Sequence, residues 1–305
     1  MQLSRIGYVL KKHKMLYLLM LPGILYYLIF KYAPMYGIII AFQDYSIGRG
    51  IFGSKFVGLK HFIEFFYVTP DAWKLIRNTI MLNVYDLLFH FPAPIILALL
   101  FHELKSKWFK RFVQNISYLP HFLSTVVIAG ILVTFLSPTT GVINHFLTQV
   151  FGIEPIMFLG IPEWFRTVYV SSEIWQKVGW GTILYLAAIA GIDPTLYEAA
   201  KMDGANRWQQ IRHITFIGMI PVMIILFVLT LGNFMEASFE KVLLLYNTMN
   251  YETSDIINTF VYRRGILDAD FSFATAVGLF QSVIGFILVV AANRIVRKYS
   301  ETSLW

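Results

Sequence analysis

Two sets of side chains in otherwise apolar surroundings could handle a solute. Glu173, Gln176 and Trp180 recur at i, i+3 and i+7 and so share one face of a helix, with Lys177 beside Glu173 at i+4. Asn233, Glu236 and Glu240 repeat that spacing, with Phe234 and Phe239 adjacent. Aromatic faces combined with carboxylate and amide acceptors suit sugars, whose C–H faces stack on rings and whose hydroxyls need hydrogen-bond partners. The same residues also fit a structural arrangement in which Trp180 and Phe234 pack helices and Glu173 pairs with Lys177. Spacing alone leaves both open. Asp86 and His90, at i and i+4, read as a polar contact to a neighbouring helix rather than as a proton relay.

Catalytic patterns are missing. The chain has no cysteine, no His-Glu-x-x-His, no Gly-x-Ser-x-Gly and no second aspartate within a span to partner Asp86. It also lacks G-x-x-x-x-G-K-[ST], so it carries no phosphate-cradling loop of its own.

The densest polar pattern lies between two apolar runs, from Tyr197 to Ile214. Asp193 can cap a helix that has Pro194 in its first turn and runs through Glu198, Ala199 and Ala200 until Gly204 allows a break. Asn206 can cap a second helix, on which Trp208, Ile211 and Ile214 fall on one face and Gln209, Gln210, Arg212 and His213 elsewhere. Neither helix has enough apolar surface to stand alone in water. The pair reads as a knuckle to be gripped: Ala199, Ala200 and Ala205 let it sit deep in a partner's groove, with Glu198, Lys201, Asp203 and Arg207 at the rim. A solvated connector is the other reading.

This stretch resembles the EAA loop of the membrane permease subunits of binding-protein-dependent ATP-binding-cassette (ABC) importers. Glu198-Ala199-Ala200, Asp203-Gly204-Ala205 and Ile214 match its pattern, whereas Phe216 and Ile217 stand where that family has Leu and Pro. The likeness runs from about residue 70 to the end, over the spans around the loop. It implies an all-α, polytopic membrane protein of type I importer permease character with about six transmembrane helices, the loop preceding the fifth. It further implies a coupling role for Glu198, Ala199, Ala200, Asp203, Gly204, Ala205 and Arg207, and a solute cavity at Gln176, Trp180, Asn233 and Phe234, to which the polar stripes add Glu173 and Glu236 as lining of the path. The implied partners are a second, different but related permease chain, two ATP-binding-cassette ATPase subunits, and an extracellular solute-binding lipoprotein that delivers a sugar or oligosaccharide. On this resemblance ATP and Mg belong to the ATPase subunits, and the permease binds no cofactor and no metal.

The elements that must position these residues are apolar spans. Hydrophobic residues make up 57% of the chain and charged ones 14%, a balance that places it in a bilayer. Apolar runs fall at 15–30 with continuation through 42, then at about 78–101, 117–136, 170–192, 214–235 and 271–292. The last two are free of charged groups, and 22 residues at about 1.5 Å each match a hydrocarbon core of about 30 Å. Segments 1–14, 103–111, 192–213 and 294–305 together hold 14 Lys/Arg against 5 Asp/Glu. That excess is the positive-inside pattern and puts both termini in the cytoplasm, and the family resemblance implies the membrane of a bacterial cell. It also accounts for the net charge of +7 without a nucleic-acid partner. The expected organisation is a cytoplasmic segment at 1–14, a first transmembrane helix and external loop at 15–69, a permease core at 70–293 with the coupling loop at 197–214, and a cytoplasmic tail at 294–305. A secondary transporter or channel driven by an ion gradient is the alternative.

Overall fold

The computed structural model describes residues 12–235 and 239–299. The chain forms two units, one from residues 1–68 and 264–279 and the other from 69–263 and 280–305.

In the first unit, α1 (Lys14–Phe42) is one helical span. Lys31 does not break it; the helix widens into a π turn over Leu28–Tyr32 ahead of Pro34 and tightens to 3-10 geometry over Tyr36–Phe42. From Met15 to Tyr36 its apolar side chains are exposed, as lipid-facing residues of a span would be, and only the last turn is covered, with Ala41 buried. The segment after it, expected as a loop or interfacial helix, is tied down by a two-residue antiparallel ladder between β1 (Gln43–Asp44) and β2 (Lys55–Phe56). Lys60 pairs with Asp44 at 2.8 Å, and this hydrogen bond holds the Asp44 carboxyl below the usual carboxylate range. Arg264 reaches Glu64 at 3.3 Å and Asp270 at 3.2 Å, and buried Phe65 meets Phe273 edge-on.

The second unit begins with α2 (Ala72–Glu103). Pro92 and Pro94 lie within it without ending it. A π turn over Asp86–His90, in which the Phe91 amide bonds back to the Asp86 carbonyl at 3.2 Å, relieves the clash that a proline ring makes with the carbonyl four residues earlier. The third apolar run, expected as one span over 117–136, is instead broken. α3 (Lys107–Phe122) and α4 (Thr125–Phe135) meet at 101°. Pro120 ends regular bonding, and Ser124 caps α4 by accepting from the Val127 amide at 3.3 Å. With 11 residues α4 spans only about 16 Å, so it crosses a bilayer only together with α3.

α5 (Val142–Phe151) ends at Gly152, and α6 (Pro162–Ala190) follows as a helix of 29 residues. Small residues set its packing. A Cβ at Gly179 would run into the Ser117 carbonyl of α3, and one at Gly181 would lie 2.8 Å from Pro94 Cγ of α2. α7 (Pro194–Met202) leaves α6 at 68°, and α8 (Arg207–Gly232) follows. Among the described residues four helices are long and apolar enough to cross a membrane, and the two bent pairs bring the number to six.

The fifth span was expected to run to Met235, carrying Asn233, Glu236 and Glu240 on one face. It ends at Gly232, where the backbone packs so closely on the last helix that a Cβ at Gly285 would lie 2.8 Å from the Gly232 carbonyl oxygen. Asn233 is then in a turn and Glu240 in the next helix, so these two share no continuous helical face; Glu236 lies outside the described residues. The segment read as a loop between the last two spans contains α9 (Phe239–Leu245), α10 (Tyr251–Ser254) and α11 (Ile257–Tyr262). α9 inserts Val242 and Leu245 into a core with Leu82, Ala129, Phe165 and Tyr169. α12 (Phe271–Tyr299) starts in the first unit and ends in the second.

Candidate functional site

Two sites stand out, a knuckle at α7 and α8 and a polar cluster within the spans. The knuckle is built by short-range hydrogen bonds that its sequence encodes. Asp193 accepts from the Thr195 amide at 2.9 Å, which starts α7 and holds the Asp193 carboxyl below the usual carboxylate range. At the far end Ala205 N–H donates to the Ala200 carbonyl at 2.8 Å and Gly204 N–H to that of Lys201 at 3.1 Å. This is a Schellman closure, and it requires the left-handed φ of +78° found at Gly204. Asn206 and Gln209 then form a reciprocal capping box, Gln209 N–H to Asn206 Oδ1 at 2.9 Å and Asn206 N–H to Gln209 Oε1 at 2.7 Å.

Two further contacts tie the knuckle to the spans. Arg207 Nε donates to Glu103 Oε2 at the end of α2 at 2.7 Å, and the Tyr197 and Thr215 hydroxyls lie 3.0 Å apart. Arg207, expected at the rim of a partner's groove, is thus engaged within the chain. Glu198, Ala199, Lys201, Asp203 and Gly204 are exposed, and Ala200 and Ala205 are half-buried. Trp208 is 68% exposed, and the side chain that turns inward is Gln210, which donates to the Ala205 carbonyl at 2.9 Å. Met202, which the sequence did not single out, is 88% exposed beside Gly204 and adds a flexible apolar side chain to the knuckle's tip.

The polar cluster is organised by a residue that sequence reasoning missed. Lys241 of α9 is buried, with its ammonium 2.5 Å from Glu173 Oε1 and 2.8 Å from Gln176 Oε1. Lys177 contacts the other Glu173 oxygen, also at 2.5 Å, so two lysines share one carboxylate. Gln176 uses its remaining donor on the Leu123 carbonyl at 3.3 Å. That carbonyl lies at the break between α3 and α4, and within an apolar span such a group needs a partner inside the protein. Glu173 and Gln176 are therefore committed to holding α6, α9 and the α3–α4 break together. The signal for Lys241 is present but faint: a lone lysine directly before the apolar run Val242–Leu245.

Trp180 stands one turn further along the same face of α6 and is 45% exposed. Its ring stacks in parallel on His121, with centroids 4.5 Å apart, and meets Phe122 edge-on at 5.6 Å. This aromatic group, two of its three rings from α3, is a second feature the sequence reading did not assemble. Asn233 is exposed at the end of α8 and Phe234 is half-buried. Trp180 thus packs on two rings of α3. Asp86 and His90 pair with each other at 3.2 Å along α2.

Comparison with known proteins agrees with this architecture. Residues 90–301 match the family model described as binding-protein-dependent transport system inner membrane component. The chain is 47% identical over 296 residues to Protein LplB of Bacillus subtilis (strain 168), covering 97% of this chain and 92% of that protein. It is equally 47% identical over 294 residues to the polygalacturonan/rhamnogalacturonan transport system permease protein YteP of the same organism, covering 96% and 91%. Among solved structures it superposes with a TM-score of 0.91 and 43% identity, over 98% of this chain and all of the other, on a chain of a bacterial alginate ABC transporter in complex with an alginate pentasaccharide-bound periplasmic protein. A six-span chain, a knuckle closed at Gly204 and a family match over residues 90–301 agree, and the protein belongs to the inner membrane components of binding-protein-dependent transport systems, the permeases of ABC importers.

Proposed function

We propose that this permease carries oligosaccharides built of uronic acid units, handed to it by an external binding protein, and that separate ATPase subunits dock on the knuckle at 194–214 and drive the import. The observation that carries the reading is likeness along the whole chain, at 47% and 43% identity, to one permease for polygalacturonan and rhamnogalacturonan and to an importer of the acidic polysaccharide alginate. In this reading Trp180, Asn233 and Phe234 line the path and Glu173 and Gln176 brace its wall, while Glu198, Ala199, Ala200, Asp203, Gly204 and Ala205 form the docking surface and Arg207 ties it to α2. A second, related permease chain completes the membrane part, and both termini lie in the cytoplasm.

Reconstitution tests the function. Vesicles holding the permease, its sibling and the ATPases are expected to accumulate labelled trigalacturonate only when the binding protein is outside and ATP inside. Uptake driven by an ion gradient without ATP would overturn the reading. Orientation is tested separately, and the absence of native cysteine makes it direct. Single Lys107→Cys and Lys298→Cys variants are expected to react with an impermeant maleimide only from the cytosolic face, and Lys55→Cys and Glu252→Cys only from the other, as the basic clusters dictate. Any reversed label breaks the six-span arrangement.

A further inference from the structure

We propose that Lys177 recognises the carboxylate of a uronic acid unit as it passes through the membrane, an inference that rests on the acidic-oligosaccharide reading above. The argument starts from how the cluster distributes its charges. Glu173 is 2% exposed and is the acid that two lysines share. Lys241, at 1% exposure, has Gln176 as a second acceptor. Asp86 is the other acid within electrostatic reach of Lys241, and it is paired with His90.

Lys177 differs from its neighbour in both respects. Its side chain is 41% exposed, and among the described residues its recorded acceptor is one Glu173 oxygen. An ammonium has three donors, so Lys177 is fixed by its partner while retaining donors toward the open side. A cation in that condition on a spanning helix must face protein or a water-filled path, and an anionic cargo satisfies it better than water does.

The second observation is Trp180. At i+3 from Lys177 it shares the face of α6, and its ring has one side stacked on His121 while the residue remains 45% exposed. A uronic acid unit presents a C–H face and a carboxylate on one pyranose ring, and the pair offers a ring and a cation within one helical turn. A neutral sugar of the same shape would use Trp180 and gain little from Lys177. Lys177 is thus placed to determine specificity for charge, while the buried Lys241 keeps Glu173 neutralised when Lys177 turns to cargo.

The test compares two probes in the reconstituted importer, labelled trigalacturonate and the same trimer with its carboxyls reduced to alcohols. Lys177→Gln is expected to lower the ratio of their initial uptake rates about tenfold, the effect of one lost charge-assisted hydrogen bond. Lys177→Arg, which keeps the charge, should stay within about twofold of the native ratio. Assembly of each variant with its partners is checked by size-exclusion chromatography, because Lys241 still compensates Glu173 in both. If Lys177→Gln slows both trimers equally, Lys177 is structural and the inference fails. If the native importer takes up trigalacturonate and Lys177→Gln leaves the ratio unchanged, the inference fails while the function stands. A native importer that moves only the reduced trimer overturns the acidic cargo and this inference together.

Discussion

Gly204→Pro is expected to abolish cargo-stimulated ATP hydrolysis by the assembled importer while the permease still inserts in the membrane. Gly204 has φ +78°, and proline is locked near −65°, so the substituted chain cannot close the turn between α7 and α8. The Schellman bonds from Gly204 and Ala205 are then lost, and the exposed surface of Glu198, Ala199, Met202 and Asp203 no longer has a fixed position relative to α8. In the proposed docking, this turn is the direct covalent link by which movement of that surface reaches α8, and the Tyr197–Thr215 contact alone does not fix its position. A graded control separates geometry from bulk. A Cβ at Gly204 would meet nothing within 4 Å, so Gly204→Ala changes only the backbone preference, at a cost of roughly 1–2 kcal/mol. It should leave partial stimulation. Full stimulation in Gly204→Pro, measured in nanodiscs with saturating cargo-loaded binding protein, would remove the knuckle from the coupling route.

The knuckle was readable from sequence because its determinants act within two to five residues. Asp193 bonds to Thr195, Ala205 to Ala200, and Asn206 to Gln209. Each is a local rule about caps and left-handed backbone, and no distant partner can reverse it. The spans were readable for a similar reason, since their signal is average apolarity over many residues. What escaped was whatever depends on a distant partner. Gln176 and Lys241 are 65 positions apart, and the lysine sits in a segment that lacks any long apolar run. The bend between α3 and α4 also escaped, because apolarity continues through it. A break there is tolerable only because Gln176, 53 positions on, satisfies the Leu123 carbonyl.

The same cluster yields the second large effect. Lys241→Met is expected to destabilise the permease by about 3–5 kcal/mol, the usual cost of removing one partner from a buried ion pair. Methionine fills most of the lysine volume, so the loss is electrostatic rather than a cavity. It leaves Glu173 Oε1 and Gln176 Oε1 without the ammonium that both accept from, in a site where each oxygen is shielded from water. Lys177 cannot replace it, since it approaches the other carboxylate oxygen from the exposed side. The thermal midpoint of the purified permease complex should fall by roughly 10 °C. Lys177→Gln should shift it far less, because the buried half of the pair survives. The decisive variant is the double substitution Lys241→Met with Glu173→Leu. If the cost is that of an uncompensated buried charge, an apolar pair of similar volume restores most of the midpoint, and the coupling between the two sites is strongly non-additive. A single Lys241→Met variant that melts within about 2 °C of native, a shift worth no more than ~1 kcal/mol, would show that water or another residue reaches Glu173 and that α9 is not held by this pair.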